Sequence, residues 1–169
     1  MKSVISILLL ANVIYGQYQT SNAKYRGFSK IDCLGLIIYG LDDNNLFDEI
    51  EKLTRSIATE TLPQNVKLDY FTECPLYPLS VEFHTFENKD GTVSGTIAVA
   101  VEATSESTTI EVQYPSVDEE NWYYQIGFMP IIEDRQVISN ADNKSVISIT
   151  RILIQKILDQ FLLHWVENP

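Results

Sequence analysis

Two histidines and two cysteines are the residues of this chain whose types most often serve in catalytic or metal sites. His84 follows Glu82 by two positions, and on a strand this spacing places both side chains on one face. With a further carboxylate they would suit a metal ion, but two ligands on one strand do not define a site, so we assign no metal ligand. His164 lies near the end of an apolar segment, where an imidazole pads a core or complements a helix C-terminus.

Cys33 and Cys74 permit two kinds of chemistry. In an oxidising compartment, a single pair of cysteines is predicted to form a disulfide. The bridge would close a loop of about 40 residues and stabilise the fold by roughly 3–4 kcal/mol. Two buried free thiols are the alternative, and a thiol–imidazole pair with His84 would compete with the bridge for the same sulfur atoms.

The 23 acidic residues cluster at predicted turns and helix starts, in residues 42–43, 48–49 and 118–120. Carboxylates at such positions cap helices or remain hydrated. Two of them roughly 5–10 Å apart in a cleft would suit hydrolysis of a saccharide-like substrate. The sequence contains no G-x-S-x-G, H-E-x-x-H, P-loop, G-x-G-x-x-G or C-x-x-C motif. It therefore predicts no catalytic residue and no cofactor, and favours a protein that is not an enzyme.

The formal net charge of −11 bears on the class of partner. An acidic protein gains nothing from neutralising phosphate groups and is repelled by anionic lipid headgroups. We therefore expect neither a nucleic acid nor an acidic membrane surface as the partner.

The first sixteen residues, MKSVISILLLANVIYG, have the parts of a secretory signal peptide. Lys2 precedes a short apolar run, and a small residue, Gly16, ends the segment. The run is too short for a transmembrane anchor, which needs roughly 20 apolar residues; a buried N-terminal strand or helix is the alternative. We predict cleavage after Gly16, a flexible mature N-terminus over residues 17–29, and one domain over residues 30–169.

The elements of that domain follow from its apolar periodicity. Residues 31–39 are apolar enough for an interior strand, and an i, i+4, i+7, i+11 pattern predicts a helix that ends near Leu62, before Pro63. Alternation over residues 79–84 and 93–101, around a turn at residues 88–91, predicts a β-hairpin. Residues 66–71 and 131–138 are ambiguous, whereas residues 110–114 and 122–129 are predicted strands.

A final helix is predicted over residues 145–166, with Asp142 or Asn143 as its N-cap. Together these elements predict an α+β fold: a mostly antiparallel sheet of four or five strands with two helices packed on one face, in the order β-α-β-β-β-α. The final helix is apolar nearly all round, so it is either covered on two sides or held against a partner. Its candidate binding residues are Leu162 and Val166, together with Trp122 and Tyr124 of the aromatic strand.

This order of elements resembles that of small exported bacterial envelope domains. It is similar to the lipopolysaccharide-assembly lipoprotein of the outer membrane and to the N-terminal domain of the Tol-Pal periplasmic propeller protein, over most of residues 31–169. The closing residues 161–169 (FLLHWVENP) also resemble exported bacterial proteins of unknown function. The chain departs from the first family because no lipidation cysteine follows the leader, and from the second because it has no propeller.

The resemblance and the export signal together favour a non-catalytic binding or accessory domain in the bacterial cell envelope, either periplasmic or secreted. Its expected partner is a protein or an apolar ligand, with a homodimer as one form of protein contact. A carboxylate hydrolase and a domain that associates with itself through an open sheet edge are the alternatives.

Overall fold

The computed structural model describes residues 24–26, 28–104, 111–113 and 128–167. They form seven strands, two α-helices and one turn of 3-10 helix at Phe28–Lys30. The strands are β1 (Lys24–Arg26), β2 (Cys33–Tyr39), β3 (Lys67–Tyr70), β4 (Pro78–Glu87), β5 (Val93–Thr104), β6 (Glu111–Gln113) and β7 (Phe128–Ala141). The helices are α1 (Asn44–Thr61) and α2 (Asn143–Glu167).

Five strands form one sheet in the order β3-β2-β4-β5-β7. The predicted α+β class is therefore confirmed, with five strands and two helices. The sheet is mixed rather than mostly antiparallel, because β2 runs parallel to both of its neighbours, β3 and β4. Helix α1 carries the chain back to the starting edge after β2, and residues 71–77 do so again after β3, so each return gives a parallel pair.

Helix α1 follows directly from its sequence pattern. The Asp43 carboxylate accepts hydrogen bonds from the backbone N–H groups of Asn45 and Leu46, at 2.9 and 3.3 Å, which satisfies two donors that a helix start leaves unpaired. The predicted apolar stripe is buried against the sheet; its members are Leu46, Ile50, Leu53 and Ile57.

The predicted hairpin is formed by β4 and β5, which pair antiparallel from Leu79 opposite Val101 to Glu87 opposite Val93. Gly91 in the turn has a φ of 79°, a conformation that glycine adopts without steric cost. One face of the hairpin belongs to the core shared with both helices, through Leu79, Val81, Phe83, Ile97, Val99 and Val101.

Helix α2 begins after Asp142, whose carboxylate accepts from the Ser145 N–H at 2.8 Å. It packs against both the sheet and α1, which explains why its apolar residues cover more than one stripe. The residues that fill these two contacts are Val146, Leu153, Ile154, Ile157, Leu158 and Phe161. Near its end, Trp165 Nε1 lies 3.4 Å from the Ile31 carbonyl oxygen, which ties the helix to the chain before β2.

The predicted disulfide between Cys33 and Cys74 is present, with Cα atoms 5.8 Å apart across a separation of 41 residues. It joins the first residue of β2 to the segment that leaves β3. A Cβ added at Gly35 would overlap the Cys74 carbonyl oxygen. The segment therefore passes directly over β2, on the face of the sheet opposite the helices.

Strands β1 and β6 pair antiparallel as a separate two-stranded sheet. Residues 24–26 and 28–29 of the segment predicted as a flexible N-terminus therefore have regular structure, in β1 and in the 3-10 turn. The previously ambiguous residues 66–71 and 131–138 contain β3 and most of β7. Of the predicted strand over residues 122–129, only 128 and 129 fall within the described residues, where they begin β7. The predicted signal peptide also lies outside the described residues.

Candidate functional site

The sheet face opposite the helices, which we call the polar face, carries three glutamates around two small residues. Ala98 and Ala100 of β5 lie opposite Glu82 and Ser80 of β4, and on their other side opposite Arg135 and Glu133 of β7. Both alanines are buried. Their short side chains leave room for the longer side chains of the flanking strands to lie over β5.

Ser80 links two of these carboxylates. Its side chain is fully buried, its Oγ lies 3.5 Å from Glu82 Oε1, and it also hydrogen-bonds Glu102. A hydroxyl has one proton to donate. Ser80 can therefore donate to only one of the two carboxylates at a time. One proton held on the pair suits these contacts better than ionisation of both groups.

The electrostatics of the polar face favour that same protonation state. Burial raises the pKa of Glu102 to about 7, and the negative charges of Glu82 and Glu133 act in the same direction, while the Ser80 hydrogen bond opposes them. Like-charged carboxylates that share a partly dry site cannot all ionise at low cost. Near neutral pH, therefore, Glu102 is partly protonated.

Tyr39 and His84 both contact Glu82. Tyr39 lies opposite Glu82 in the β2–β4 register; partial burial, followed by its hydrogen bond with Glu82, raises the pKa of the Tyr39 hydroxyl. His84 Nε2 lies 3.0 Å from Glu82 Oε2, and its ring meets the Tyr39 ring edge-on at 6.4 Å between centroids. Glu82 and His84, which were predicted to share one face of a strand, do share it and contact each other.

Chemically, this cluster can hold one proton and one negative charge side by side. A half-buried acid next to an ionised carboxylate is the arrangement that general acid catalysts use. It is equally an ordinary way to accommodate acidic residues on a sheet. On its β7 side, the Arg135 guanidinium pairs with Glu133 of the same strand.

A second surface of note is the outward side of α2, which we call the outer face. Ile152, Leu163 and Val166 are 62%, 53% and 63% exposed, and their i, i+11, i+14 spacing places them along one side of the helix. Ile152 and Leu163 border a shallow depression whose other lining residues are polar or charged, among them Lys156 and Asp159. Lys156 Nζ also reaches Asp134 Oδ2 of β7 at 2.6 Å.

The predicted binding residues that the structure describes differ in exposure. Val166 lies on the outer face, whereas Leu162 is half-buried. Trp122 and Tyr124 lie outside the described residues. His164 is half-buried and has a partner within the fold.

Sequence reasoning singled out Glu82 but missed Glu102 and Glu133, because it attributed the acidic residues to turns and helix starts. The turn at residues 88–91 does set the hairpin register, and that register places Ser80 and Glu82 next to the alanines of β5. Glu133 was harder to foresee, because residues 131–138 were ambiguous in the sequence and only the β5–β7 register places Glu133 opposite Ala100.

The chain matches no protein-family model, no curated protein and no solved structure. Among the described residues, no group of three His, Cys, Asp or Glu side chains is placed to hold a metal ion. Within those same ranges, neither helix is long and apolar enough to cross a membrane.

Proposed function

We propose that this chain is a non-catalytic accessory domain, exported to the periplasm or secreted, that binds a partner protein in the bacterial cell envelope. The Cys33–Cys74 disulfide supports export, because such bonds persist in oxidising compartments and are rare in the cytosol. Cleavage of residues 1–16 as a signal peptide would deliver the domain there.

The observation that carries the proposal is the outer face of α2. This helix is already packed against the sheet and α1, yet Ile152, Leu163 and Val166 each expose more than half of their surface. Apolar residues that recur on one side of a helix are the anchors that a helix presents to a groove. Burying a side chain of this size is worth about 1.5–3 kcal/mol, so three of them supply a useful part of a binding free energy.

The surroundings of those residues favour a protein over a lipid. Lys156 and Asp159, of opposite charge, lie between Ile152 and Leu163 on the same side of the helix. Mixed charges beside apolar anchors suit a protein groove with a polar rim. An anionic bilayer would be repelled by a chain of net charge −11.

Site-specific photo-crosslinking in the native host tests this proposal. A photoreactive residue at position 163 should give one adduct of discrete mass, and Ile152→Asp in the same chain should abolish it. The same residue placed at Lys89, which is exposed in the β4–β5 turn, is the matched control and should give no such adduct. Equal labelling from both positions, or none from position 163, contradicts the proposal; a lipid adduct replaces the protein partner with an apolar ligand.

Intact mass of the chain recovered from its host tests the export step separately. A mass that begins at Gln17 and rises by two daltons on reduction is expected, since both cleavage and the bridge follow from export. An uncleaved chain with two free thiols would show that the protein resides in a reducing compartment. The proposal that it acts in the cell envelope would then be wrong.

A second candidate is a hydrolase of a saccharide-like substrate, and the pairing of Glu102 with Glu82 is the observation that favours it. Glu102 would protonate the leaving oxygen, because its pKa is raised to about 7, while the Glu82 carboxylate would act as base or nucleophile. A panel of fluorogenic glycosides at mildly acidic pH tests this candidate. Turnover that Glu102→Gln and Glu82→Gln each abolish would support it, and turnover that persists in both variants would refute it.

A further inference from the structure

Strand β7 is a long strand at the edge of the sheet. It spans Phe128–Ala141 and pairs with β5; within the described ranges no strand pairs with its other side. An edge of this length presents a row of backbone N–H and C=O groups that another strand can bind. Natural edges of this kind are commonly protected by charged side chains, by bulges or by proline.

The proline and the irregularities of β7 lie at its ends, so its middle is guarded only by charged side chains. Pro130 lies near the start, and register shifts bound the regular stretch of residues 132–138 on both sides. Between these limits the sequence is Ile-Glu-Asp-Arg-Gln-Val-Ile, in which charges of both signs are adjacent. Such a stretch does not repel a second copy of itself.

We propose that β7 pairs antiparallel with β7 of a second copy of this chain, joining two five-stranded sheets into one continuous sheet. The two copies would be related by a two-fold axis perpendicular to the sheet, so the interface is self-complementary. This inference is independent of the partner proposed above, because it uses the sheet edge and not the outer face of α2.

Charge complementarity between the two β7 strands determines which residue lies at the two-fold axis. A two-fold axis of this kind passes through one residue, and opposite residues then point to the same face of the sheet. With the axis at Asp134, Glu133 of each copy lies opposite Arg135 of the other, which forms two cross-strand ion pairs on the polar face. With the axis at Arg135, two guanidinium groups would face each other, which is unfavourable.

The negative charge of Asp134, at the two-fold axis, is already balanced on the helix side of the sheet. The two Asp134 carboxylates would face each other on the helix side of the sheet, but each is paired with Lys156 of its own α2 at 2.6 Å. Arg135, which is 61% exposed in the single chain, pairs there with Glu133 of its own strand. A second copy would add partners to both groups without removing existing ones.

Reciprocal charge swaps test the register directly, by sedimentation velocity at physiological ionic strength. The wild-type chain, with its disulfide intact, should sediment as a dimer. Arg135→Glu and Glu133→Arg should each weaken the dimer about tenfold or more, because each turns two attractive pairs into repulsive ones. The double variant E133R/R135E restores opposite charges across the axis and should restore the dimer.

Lys89→Glu is the matched control, since it makes the same change of net charge as Arg135→Glu at an exposed turn; it should leave the dimer intact. Circular dichroism verifies that each variant is folded. Amide exchange of residues 132–138 in the wild type gives a readout without any mutation, and it should slow as protein concentration rises. A monomeric wild type, a swap that fails to restore the dimer, or exchange that is independent of concentration would overturn the proposal.

Discussion

Replacing Glu102 by glutamine should stabilise the chain at about pH 8 and leave its stability at about pH 4 almost unchanged. Glutamine has the size of a neutral glutamic acid, and its carbonyl oxygen can accept the hydrogen bond that Ser80 makes with Glu102. The variant thus removes the ionisation and retains the hydrogen bond.

The direction of the pKa shift determines whether stability rises or falls with pH. Folding raises the pKa of Glu102 from an ordinary 4.5 to about 7, so the folded state holds a proton that the unfolded state releases. The resulting stabilisation is fully present below about pH 4.5 and is lost as pH rises through about 7. The full shift corresponds to about 3.4 kcal/mol. Because Glu102 is only half-buried, solvent screening reduces this, and we expect about 1–2 kcal/mol.

Urea unfolding at intervals between about pH 4 and pH 8.5 measures the effect. The difference in unfolding free energy between the variant and wild type should grow mainly between about pH 4.5 and pH 7 and level off above that. Glu87→Gln, at an exposed glutamate near the end of β4, should give a curve parallel to that of wild type. If the Glu102→Gln curve is also parallel to wild type, the assignment of Glu102 as a proton-bearing group on the polar face is refuted.

Three further predictions concern the scaffold, and each is measured by denaturant unfolding. Converting Cys33 and Cys74 to serine should lower the unfolding free energy by roughly 3–4 kcal/mol, because the bridge closes a 41-residue separation; an unchanged value would mean that the unfolded chain is not constrained by the bridge. Gly35→Ala should cost about 2 kcal/mol or more, since its Cβ would meet the Cys74 backbone. Gly91→Ala is the control: this glycine has a φ of 79° but lies in open space, so the unfolding free energy should fall by only about 1 kcal/mol. Equal falls for both variants would contradict the crowding at Gly35 of β2. Asp43→Ala should cost about 1 kcal/mol through loss of the α1 cap, and no loss would show that water replaces the cap.

Much of the fold could be predicted because the decisive features are local. The apolar spacing of α1, its aspartate cap and its end before Pro63 are all contained in about 20 consecutive residues. The hairpin follows from one turn and two alternating runs. The breadth of the apolar surface on α2 correctly indicated contacts on more than one side.

Strand direction was not predictable in the same way. The apolar run of residues 31–39 favours a strand buried on both faces, but it does not identify which strands lie beside β2 or in which direction they run. The candidate site depends on the same missing information. Glu82, Glu102 and Glu133 come together only through the registers of three strands, one of which contains a bulge.

The segment after β3 crosses β2, and this crossing restricts which residues homologous sequences can change independently. Gly35 has no side chain where the Cys74 backbone passes, and Cys33, two residues earlier, is bonded to that same segment. A mutation that adds a side chain at position 35 would displace the segment and with it the sulfur of Cys74. The glycine and the bridge therefore depend on each other, and we expect relatives to keep Cys-x-Gly together with the distant cysteine or to lose all three. That three-residue signature would identify distant homologues after overall sequence identity has faded.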